Sequence, residues 1–277
     1  MSDSSDALAA LGLEPPGPGV QRTALRDGRE VVVKSGAPGQ AAVEVAGLRW
    51  LTVPGGPPLP EVLAHDNRWL VMSAVRTGRA STAGAERFGR ELAALHAAGA
   101  QAFGAAPAVD GWIGTAPLRN VAAPHWPAWY AEHRVHAYQR RADLASSDAA
   151  ALDRVCERID ELAGPAEPPA RLHGDLWSGN VLPGADGRLW LIDPAAHGGH
   201  RETDLAMLAL FGAPHLDRIL AAYDEAAPLA AGWRDRVSLH QLFPLLVHAV
   251  LFDDHRVARR GSGYGARAGA AARAALG

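Results

Sequence analysis

The first 75 positions of the chain carry short apolar blocks of the kind that form β-strands. Residues 30–34, 62–64 and 69–72 are such blocks, and an Asp-Gly pair at 27–28 precedes the first of them. Blocks of this length predict strands, and Asp-Gly between two candidate strands predicts a hairpin turn. Residues 41–51 instead repeat apolar side chains near helical spacing. The pattern predicts a small antiparallel sheet with one helix.

From Thr82 onward the periodicity becomes helical. Phe88, Leu92 and Leu95 stand at i, i+4 and i+7, which is the inward stripe of a helix ending near Gly99. Further helices are predicted over residues 148–162, 215–224 and 237–257, whereas residues 110–115 are predicted to be a loop and the Gly- and Ala-rich tail from residue 261 to fray or pack loosely. We therefore expect an N-terminal lobe over residues 1–75 and a larger, mainly helical C-terminal lobe over residues 76–277.

Composition is that of a globular protein and narrows the class of function. The chain has 277 residues, of which 48% are hydrophobic and 21% charged, with a net charge of −3. Without a basic block we expect no nucleic-acid partner. The longest apolar run, residues 242–252, is too short to span a bilayer, and the acidic first residues do not resemble a signal peptide. We therefore expect no membrane association and a cytoplasmic location. A single cysteine, Cys156, excludes an internal disulfide framework.

Candidate catalytic residues lie in the segment 171–182, RLHGDLWSGNVL. Asp175 and Asn180 within it have the spacing of the catalytic loop of kinase-type phosphotransferases. In that template the Asp is the base that accepts the proton of the attacking hydroxyl, and the Asn holds a Mg²⁺ ion. A short apolar run then delivers Asp193 where the template has its second metal-binding carboxylate, with Pro194 in place of the Phe of D-F-G.

Phosphoryl transfer needs these residue types because it depends mostly on positioning and charge neutralisation. One carboxylate aims the nucleophile, and oxygen ligands hold the metal that bridges the phosphates. The alternative is a surface turn with a capping Asp and a metal-free Asp-Pro turn. The order Asp, Asn, Asp, with the last residue ending an apolar strand, favours the kinase interpretation.

Lys34 is the only lysine among 27 basic residues, and it ends the first predicted strand. Its ammonium is suited to phosphate oxygens in a narrow cleft. Glu44 lies on the next helix and is the candidate partner that orients this ammonium. A Pro/Gly-rich segment at residues 17–25 is the candidate loop over the nucleotide. The backbone of Ser73, Ala74 and Val75 (residues 73–75), at the crossover between the lobes, is our candidate for binding the adenine of ATP.

The motifs together closely resemble the fructosamine kinase (ketosamine-3-kinase) family, which lies within the aminoglycoside-phosphotransferase-like kinases. The resemblance rests on HGDLWSGNVL at 173–182 and IDPAAHGGHRETDLAML at 192–208, with VVVK at 31–34 in support. It implies an α+β, bilobal, protein-kinase-like fold, with ATP and Mg²⁺ as cofactors. It also implies transfer of the γ-phosphate to the sugar 3-hydroxyl of a ketosamine such as a fructosamine or ribulosamine adduct. The partner would be a small-molecule ketosamine or a glycated protein lysine, and the outcome deglycation.

The resemblance also implies roles for particular residues. Trp112, Trp177, His200 and Arg201 are expected at the substrate, with a core tryptophan as the alternative for Trp177. His173 and Asp204 are expected to give structural support, Asp204 either by capping its helix or by hydrogen-bonding the catalytic loop.

Departures from the family pattern put the acceptor in doubt. Gly111 and Leu118 stand where the family has an Asn and a Gln, and His197-Gly198 replaces an aromatic pair. Both changes are expected where substrate is held. An aminoglycoside- or choline-type phosphotransferase of the same superfamily therefore stays open, as does a non-catalytic nucleotide-binding module. A monomer or weak homodimer is expected.

Overall fold

The computed structural model of the protein describes residues 6–17, 19–108, 110–252 and 263–277. Its N-terminal part is built on a four-stranded antiparallel sheet. The strands are β1 (Val20–Ala24), β2 (Glu30–Ser35), β3 (Val62–His65) and β4 (Trp69–Ser73), in the spatial order β1-β2-β4-β3. The predicted hairpin at 27–28 joins β1 to β2, with Gly28 at a φ of 83° that suits glycine. The predicted glycine-rich loop over the nucleotide includes Pro18, which lies outside the described residues.

The two faces of this sheet pack on different helices because side chains alternate along a strand. Val31 and Val33 of β2 are buried in the cluster beneath α1 (Asp6–Ala10). Val32 packs on the opposite face against α2 (Gln40–Leu51). Lys34 follows two positions later, so the alternation directs its side chain to the α2 face as well.

The chain leaves β4 and enters a mainly helical part through α3 (Thr82–Ala97), where Ser81 caps the helix by accepting a hydrogen bond from the Gly84 amide. The inward stripe of α3 is buried as predicted. The remaining helices are α4 (Trp126–Tyr130), α5 (Ala137–Gln139), α6 (Ser146–Glu157), α7 (Ile159–Leu162), α8 (Glu202–Phe211), α9 (Leu216–Ala226), α10 (Val237–His240), α11 (Leu242–Phe252) and α12 (Tyr264–Leu276), with a π-helix at Ala131–His136. The remaining strands form two-stranded pairs: β5 (Asp110–Ile113) with β6 (Ala116–Arg119), β7 (Ala170–Leu172) with β10 (His197–Gly199), and β8 (Val181–Pro183) with β9 (Leu189–Leu191).

Residues 110–119 correct one local prediction, because they form the β5–β6 hairpin and not a loop. Ile113, Ala116 and Leu118 are buried in the large-lobe core, which gives this short hairpin a reason to order. Each strand is only four residues long and contains Gly111 or Pro117, so the sequence lacks a strand signal there.

The C-terminal tail is the second correction, since it is a helix and does not fray. Ala268 and Ala272 of α12 are fully buried, and Arg273 Nη1 lies 2.8 Å from Asp148 Oδ1 of α6. A Cβ at Gly269 would lie 2.2 Å from Asp148 Oδ1, so the small residues that suggested looseness permit close packing. Positions 253–257 of the last predicted internal helix lie outside the described residues. Within the described ranges, no helix combines the length and apolar character needed to cross a membrane.

Candidate active site

Residues 173–180 connect β7 to β8 in a turn whose shape requires glycine. Gly174 has a φ of 80°, and a Cβ there would lie 2.2 Å from the carbonyl oxygen of Ala195. A short 3₁₀ turn then folds Asn180 back over Asp175. Asn180 Nδ2 donates to the main-chain carbonyl of Asp175 at 2.8 Å and to its Oδ2 at 3.0 Å. Two residues predicted to act together are therefore in direct contact.

Asp193 follows β9 and is brought to the same place by an unusual backbone conformation. Its φ of 53° lies in the left-handed region, which non-glycine residues seldom adopt. Asp193 Oδ1 accepts a hydrogen bond from Lys34 Nζ at 2.9 Å, and Glu44 Oε2 accepts a second from the same ammonium at 2.7 Å. Burial alone would lower the pKa of Lys34, but these two carboxylates outweigh it and raise it. The ammonium is therefore retained between the lobes.

These side chains line one cleft of about 460 Å³ between the two lobes. Its walls include Lys34, Gln40, Val43, Glu44, Trp112, Thr115, Asp175, Trp177, Asn180, Asp193, Val247, His248, Leu251 and Phe252. Burial raises the pKa of Asp175 to about 7, against the opposing hydrogen bond from Asn180. A carboxylate whose pKa lies near neutrality is suited to accept a proton during turnover.

Asp204 anchors the catalytic turn from behind. Its two carboxylate oxygens accept hydrogen bonds from the main-chain amides of His173 at 2.8 Å and Gly174 at 3.0 Å. Burial opposes ionisation of Asp204, but the contact with His96 and these amide bonds outweigh it and lower its pKa. His173 donates a hydrogen bond from Nε2 to the Ile192 carbonyl at 2.9 Å. Burial lowers the pKa of His173, so its side chain is neutral and its role is structural. The turn is held by backbone bonds at both ends.

Trp177 and Trp112 both reach the cleft. Trp177 is 39% exposed although it is a large aromatic residue, and its ring packs edge-on to Phe211 with centroids 6.2 Å apart. A Cβ on Gly179 would lie 2.2 Å from the Trp177 ring, so this glycine makes room for the indole. The structure thus leaves an aromatic face beside Asp175.

Comparison with known proteins identifies the family. The family model for fructosamine kinase matches residues 34–262. The chain belongs to the fructosamine kinase family. A probable ketoamine kinase of Synechocystis sp. is 35% identical over 205 residues, which cover 70% of this chain and 67% of that protein. A crystal structure named for a fructosamine-3-kinase of Thermobifida fusca YX-ER1 is 44% identical, covers 98% of both chains and superposes with a TM-score of 0.87.

A more distant structure supports the predicted fold. The aminoglycoside phosphotransferase APH(4)-Ia, in a complex with ADP and hygromycin B, has a TM-score of 0.60 at 19% identity and covers 98% of this chain and 97% of its own. At that identity the likeness concerns the fold alone, and it confirms the protein-kinase-like α+β prediction. Membership of a kinase family confirms the predicted class of enzyme and indicates use of ATP.

Two residues of the fructosamine kinase motif, His200 and Arg201, do not reach the cleft where we expected them. His200 is 3% exposed, and its ring packs at tilted angles against Trp126 and His240, with centroids 5.1 and 4.7 Å away. Arg201 forms a two-pronged ion pair with Glu167, both distances being 2.7 Å, and donates to two further backbone carbonyls. Arg201 uses its donors on partners inside the large lobe and His200 is buried there, so the substrate role expected of both residues stays a prediction.

The departures from the fructosamine kinase pattern are not among the described residues that line the cleft. Leu118 is buried in the large-lobe core, and His197 is buried with Nδ1 2.8 Å from the Ala195 carbonyl. Gly111 borders a small void that it shares with Asn120, whose Oδ1 is buried without a hydrogen-bond partner. These positions therefore belong to the packing behind the cleft wall.

The crossover residues predicted to bind adenine, residues 73–75, begin at the last residue of β4 and continue towards α3. The Ser73 amide donates to the Glu61 carbonyl, and the Ala74 amide donates to the Glu30 carbonyl. The carbonyl of Val75 accepts a hydrogen bond from Arg22 Nη2. These three groups already have partners within the small lobe, so the role in adenine binding stays a prediction.

The cleft also has a wall that the sequence did not reveal. That wall belongs to α11 and consists of Val247, His248, Leu251 and Phe252. In the sequence they belong to an apolar run, and such a run indicates only a buried helix. The one residue in the sequence that could have indicated a cleft wall was His248, a polar residue inside that apolar run.

Proposed function

We propose that this member of the fructosamine kinase family transfers the γ-phosphate of ATP to the sugar 3-hydroxyl of ketosamines such as fructosamine or ribulosamine adducts. The observation that carries the proposal is the convergence of Lys34, Asp175, Asn180 and Asp193 on one cleft, with Lys34 Nζ 2.9 Å from Asp193. These residues come from both lobes, and together they match the requirements of phosphoryl transfer. The relatives named for ketoamine and fructosamine kinases support the choice of acceptor. The phosphorylated adduct then breaks down, so the outcome would be deglycation.

Asp175 takes the role of the base in this proposal. Its Oδ2 and main-chain carbonyl are fixed by Asn180, and the turn that carries it is anchored by Asp204. A hydroxyl placed against the carboxylate passes its proton to Asp175 as its oxygen bonds to the γ-phosphorus, and the bond from that phosphorus to the β-phosphate oxygen breaks to release ADP. A pKa of about 7 lets Asp175 take that proton and release it again near neutral pH.

Lys34 binds the phosphates of ATP, and Glu44 keeps its ammonium in place. The Lys34–Glu44 contact of 2.7 Å is already formed, with both side chains largely buried. In a cleft with little water the positive charge acts on the phosphate oxygens with less screening. ATP would displace the direct contact between Lys34 and Asp193.

Asn180 and Asp193 fit a Mg²⁺ ion by the chemistry of their donor atoms. Asn180 uses Nδ2 for both of its hydrogen bonds to Asp175, which leaves its Oδ1 available, and Asp193 uses Oδ1 for Lys34. Amide and carboxylate oxygens are the ligands that Mg²⁺ accepts together with substrate phosphates. When bound, the ion would supply charge neutralisation at the phosphates.

The test is ADP release from ATP in the presence of ribulosamine, fructosamine and aminoglycoside acceptors. We expect turnover with the ketosamines and none with the aminoglycoside. Asp193→Ala is the matched variant, and it should abolish Mg²⁺-dependent nucleotide binding. Release with the aminoglycoside alone would replace the acceptor in this proposal, and ATP binding without ADP release from any acceptor would favour a non-catalytic module.

A further inference from the structure

A chain of buried hydrogen bonds leads from the catalytic turn, residues 173–180, to Tyr223 of α9. The carboxylate of Asp204 accepts hydrogen bonds from two main-chain amides of the turn. Asp204 Oδ2 lies 3.2 Å from His96 Nε2, and His96 Nδ1 lies 2.8 Å from the hydroxyl of Tyr223. All three side chains are buried. Tyr223 is therefore connected to the catalytic turn through two side chains.

The contact between Tyr223 and His96 depends on a close approach of α3 and α9. A Cβ at Gly89 of α3 would lie 2.3 Å from the carbonyl oxygen of Ile219 and 3.0 Å from the amide nitrogen of Tyr223. His96 follows Gly89 by seven residues, which is about two helical turns, so both residues lie on the same face of α3. The rings of His96 and Tyr223 meet edge-on, with centroids 5.5 Å apart. The packing of the two helices thus brings the hydroxyl to the imidazole.

The protons along this chain can be assigned from the residue types. Burial opposes ionisation of Asp204, but its hydrogen bonds lower its pKa, so its carboxylate only accepts hydrogen bonds. His96 therefore carries a proton on Nε2. Burial raises the pKa of Tyr223, so its hydroxyl keeps its proton, and the Arg201 guanidinium beside it has no acceptor atom. The Tyr223 proton is thus directed to His96 Nδ1, which leaves the ring with its proton on Nε2 alone.

The other tautomer of His96 would break this chain. Its Nε2 would turn a lone pair towards the Asp204 carboxylate, and two acceptors 3.2 Å apart repel each other. Asp204 would lose one of its donors, which is costly for a buried carboxylate. Because the same carboxylate holds two amides of the catalytic turn, the turn that carries Asp175 would lose part of its support.

We propose that Tyr223 is a positioning residue for the catalytic base and acts through His96 and Asp204. Its hydroxyl selects the Nε2–H tautomer of His96, which keeps the Asp204 carboxylate aimed at the amides of the catalytic turn. Asp175 is thereby held where it accepts the proton of the acceptor hydroxyl. The effect on turnover rests on the proposed kinase function, whereas the tautomer of His96 does not depend on it.

Tyr223→Phe tests this role because it removes the hydroxyl and keeps the ring. Proton–nitrogen NMR correlation spectra distinguish the two histidine tautomers, and the spectrum of His96→Gln identifies the signals of His96. We expect the Nε2–H tautomer in the parent and a mixture of tautomers in Tyr223→Phe. In ADP release with a ketosamine, kcat should fall ~10-fold, the factor that corresponds to about 1.4 kcal/mol, while KM for ATP stays near the parent value.

Tyr130→Phe is the matched control. Tyr130 is as deeply buried as Tyr223, and its hydroxyl donates to the Leu239 carbonyl at 2.8 Å and accepts from the Phe243 amide at 3.2 Å. This variant should lose at least as much unfolding free energy as Tyr223→Phe, but it should keep the parent kcat and the His96 tautomer. An equal fall of kcat in both variants would overturn the positioning role, because a general loss of stability would then explain it.

His96→Gln supplies a background that has no tautomers. A glutamine amide always donates from its nitrogen and accepts at its oxygen, so it can donate to Asp204 whether or not Tyr223 has its hydroxyl. Tyr223→Phe should therefore lower kcat less in this background than in the parent. An equal loss in both backgrounds would contradict selection of the tautomer.

The outcomes separate the role of Tyr223 from the activity that it supports. ADP release with an unaltered kcat in Tyr223→Phe would remove the positioning role alone, and so would an unaltered His96 tautomer in that variant. A complete lack of ADP release with every ketosamine would remove the proposed function, and the positioning role with it.

Discussion

Residues 173–180 and residues 199–202 carry two polar motifs of the same family, yet the structure gives them opposite environments. The first motif faces the cleft, and Asp175 and Asn180 bond to each other there. The second motif is turned into the large lobe, where Glu202 pairs with Arg236 at 2.6 and 3.0 Å. In the second motif the charged side chains of Arg201 and Glu202 form ion pairs with other residues of the large lobe. In the first, oxygen atoms are left over for a ligand.

This difference separates a catalytic motif from a supporting one. The Glu202–Arg236 pair fixes the start of α8, and α8 carries Asp204, whose carboxylate binds the catalytic turn. The second motif therefore acts on the first through a helix. Changes in the first motif should alter rate with little effect on folding, and changes in the second should do the reverse.

The strongest test of this comparison is Asp175→Asn. Loss of a general base lowers turnover by at least ~10², while ATP binding should change little. Because burial raises the folded pKa of Asp175 to about 7, above its unfolded value, its proton stabilises the fold at low pH, and that stabilisation is lost as pH rises through 7. The variant should therefore be at least as stable as the parent at pH 8. ADP release and urea unfolding measure the two effects, and full turnover in the variant would remove Asp175 from the mechanism.

Glu202→Gln should give the opposite result. Arg236 would remain buried without its charged partner, and breaking such a pair costs about 3 kcal/mol or more of unfolding free energy. Urea unfolding measures this loss, and KM for ATP in the remaining folded protein should stay near the parent value. Glu132→Gln is the matched control, because Glu132 pairs with Arg140 on the surface, where a pair contributes about 0–1 kcal/mol. Equal losses in both variants would contradict the supporting role of the second motif.

The pH dependence of kcat/KM sharpens the first half of the comparison. With Asp175 as base and its pKa at about 7, kcat/KM should fall ~10-fold per pH unit below that value and level off above it. ADP release measured from pH 5.5 to 8.5 gives the profile. The residual activity of Asp175→Asn should lack this step. A step of the same size in that variant would assign the titration to another group.

The sequence predicted the small sheet, the main helices and the cluster of Lys34, Glu44, Asp175, Asn180 and Asp193 for a physical reason. Each of these side chains stands beside a local signal, namely a strand end, a helix stripe or a glycine-containing turn. These local signals predict the backbone position of each residue, and the spacing of the kinase motif predicts that the side chains meet at one site. The hairpin at 110–119 and the helix α12 were not predicted, because they are ordered by tertiary packing and not by local propensity.

The substrate side was harder to predict because its partners are distant in the chain. Arg201 looks like a free cation in the sequence, but Glu167 lies 34 positions before it and Arg236 lies 34 positions after Glu202. Phe252 looks like the end of a buried helix, but it borders the cleft. Residue types showed which chemistry was present, and only the fold showed which groups were already paired.

Arg201→Lys has the smallest expected effect, and it tests whether Arg201 stabilises the fold or contacts the substrate. Lysine keeps the charge but loses the planar fork that gives Arg201 two contacts of 2.7 Å to Glu167. We expect a loss of about 1–2 kcal/mol in unfolding free energy, with KM for a ketosamine unchanged. A rise in KM with unaltered stability would instead support the substrate role that the sequence predicted for Arg201.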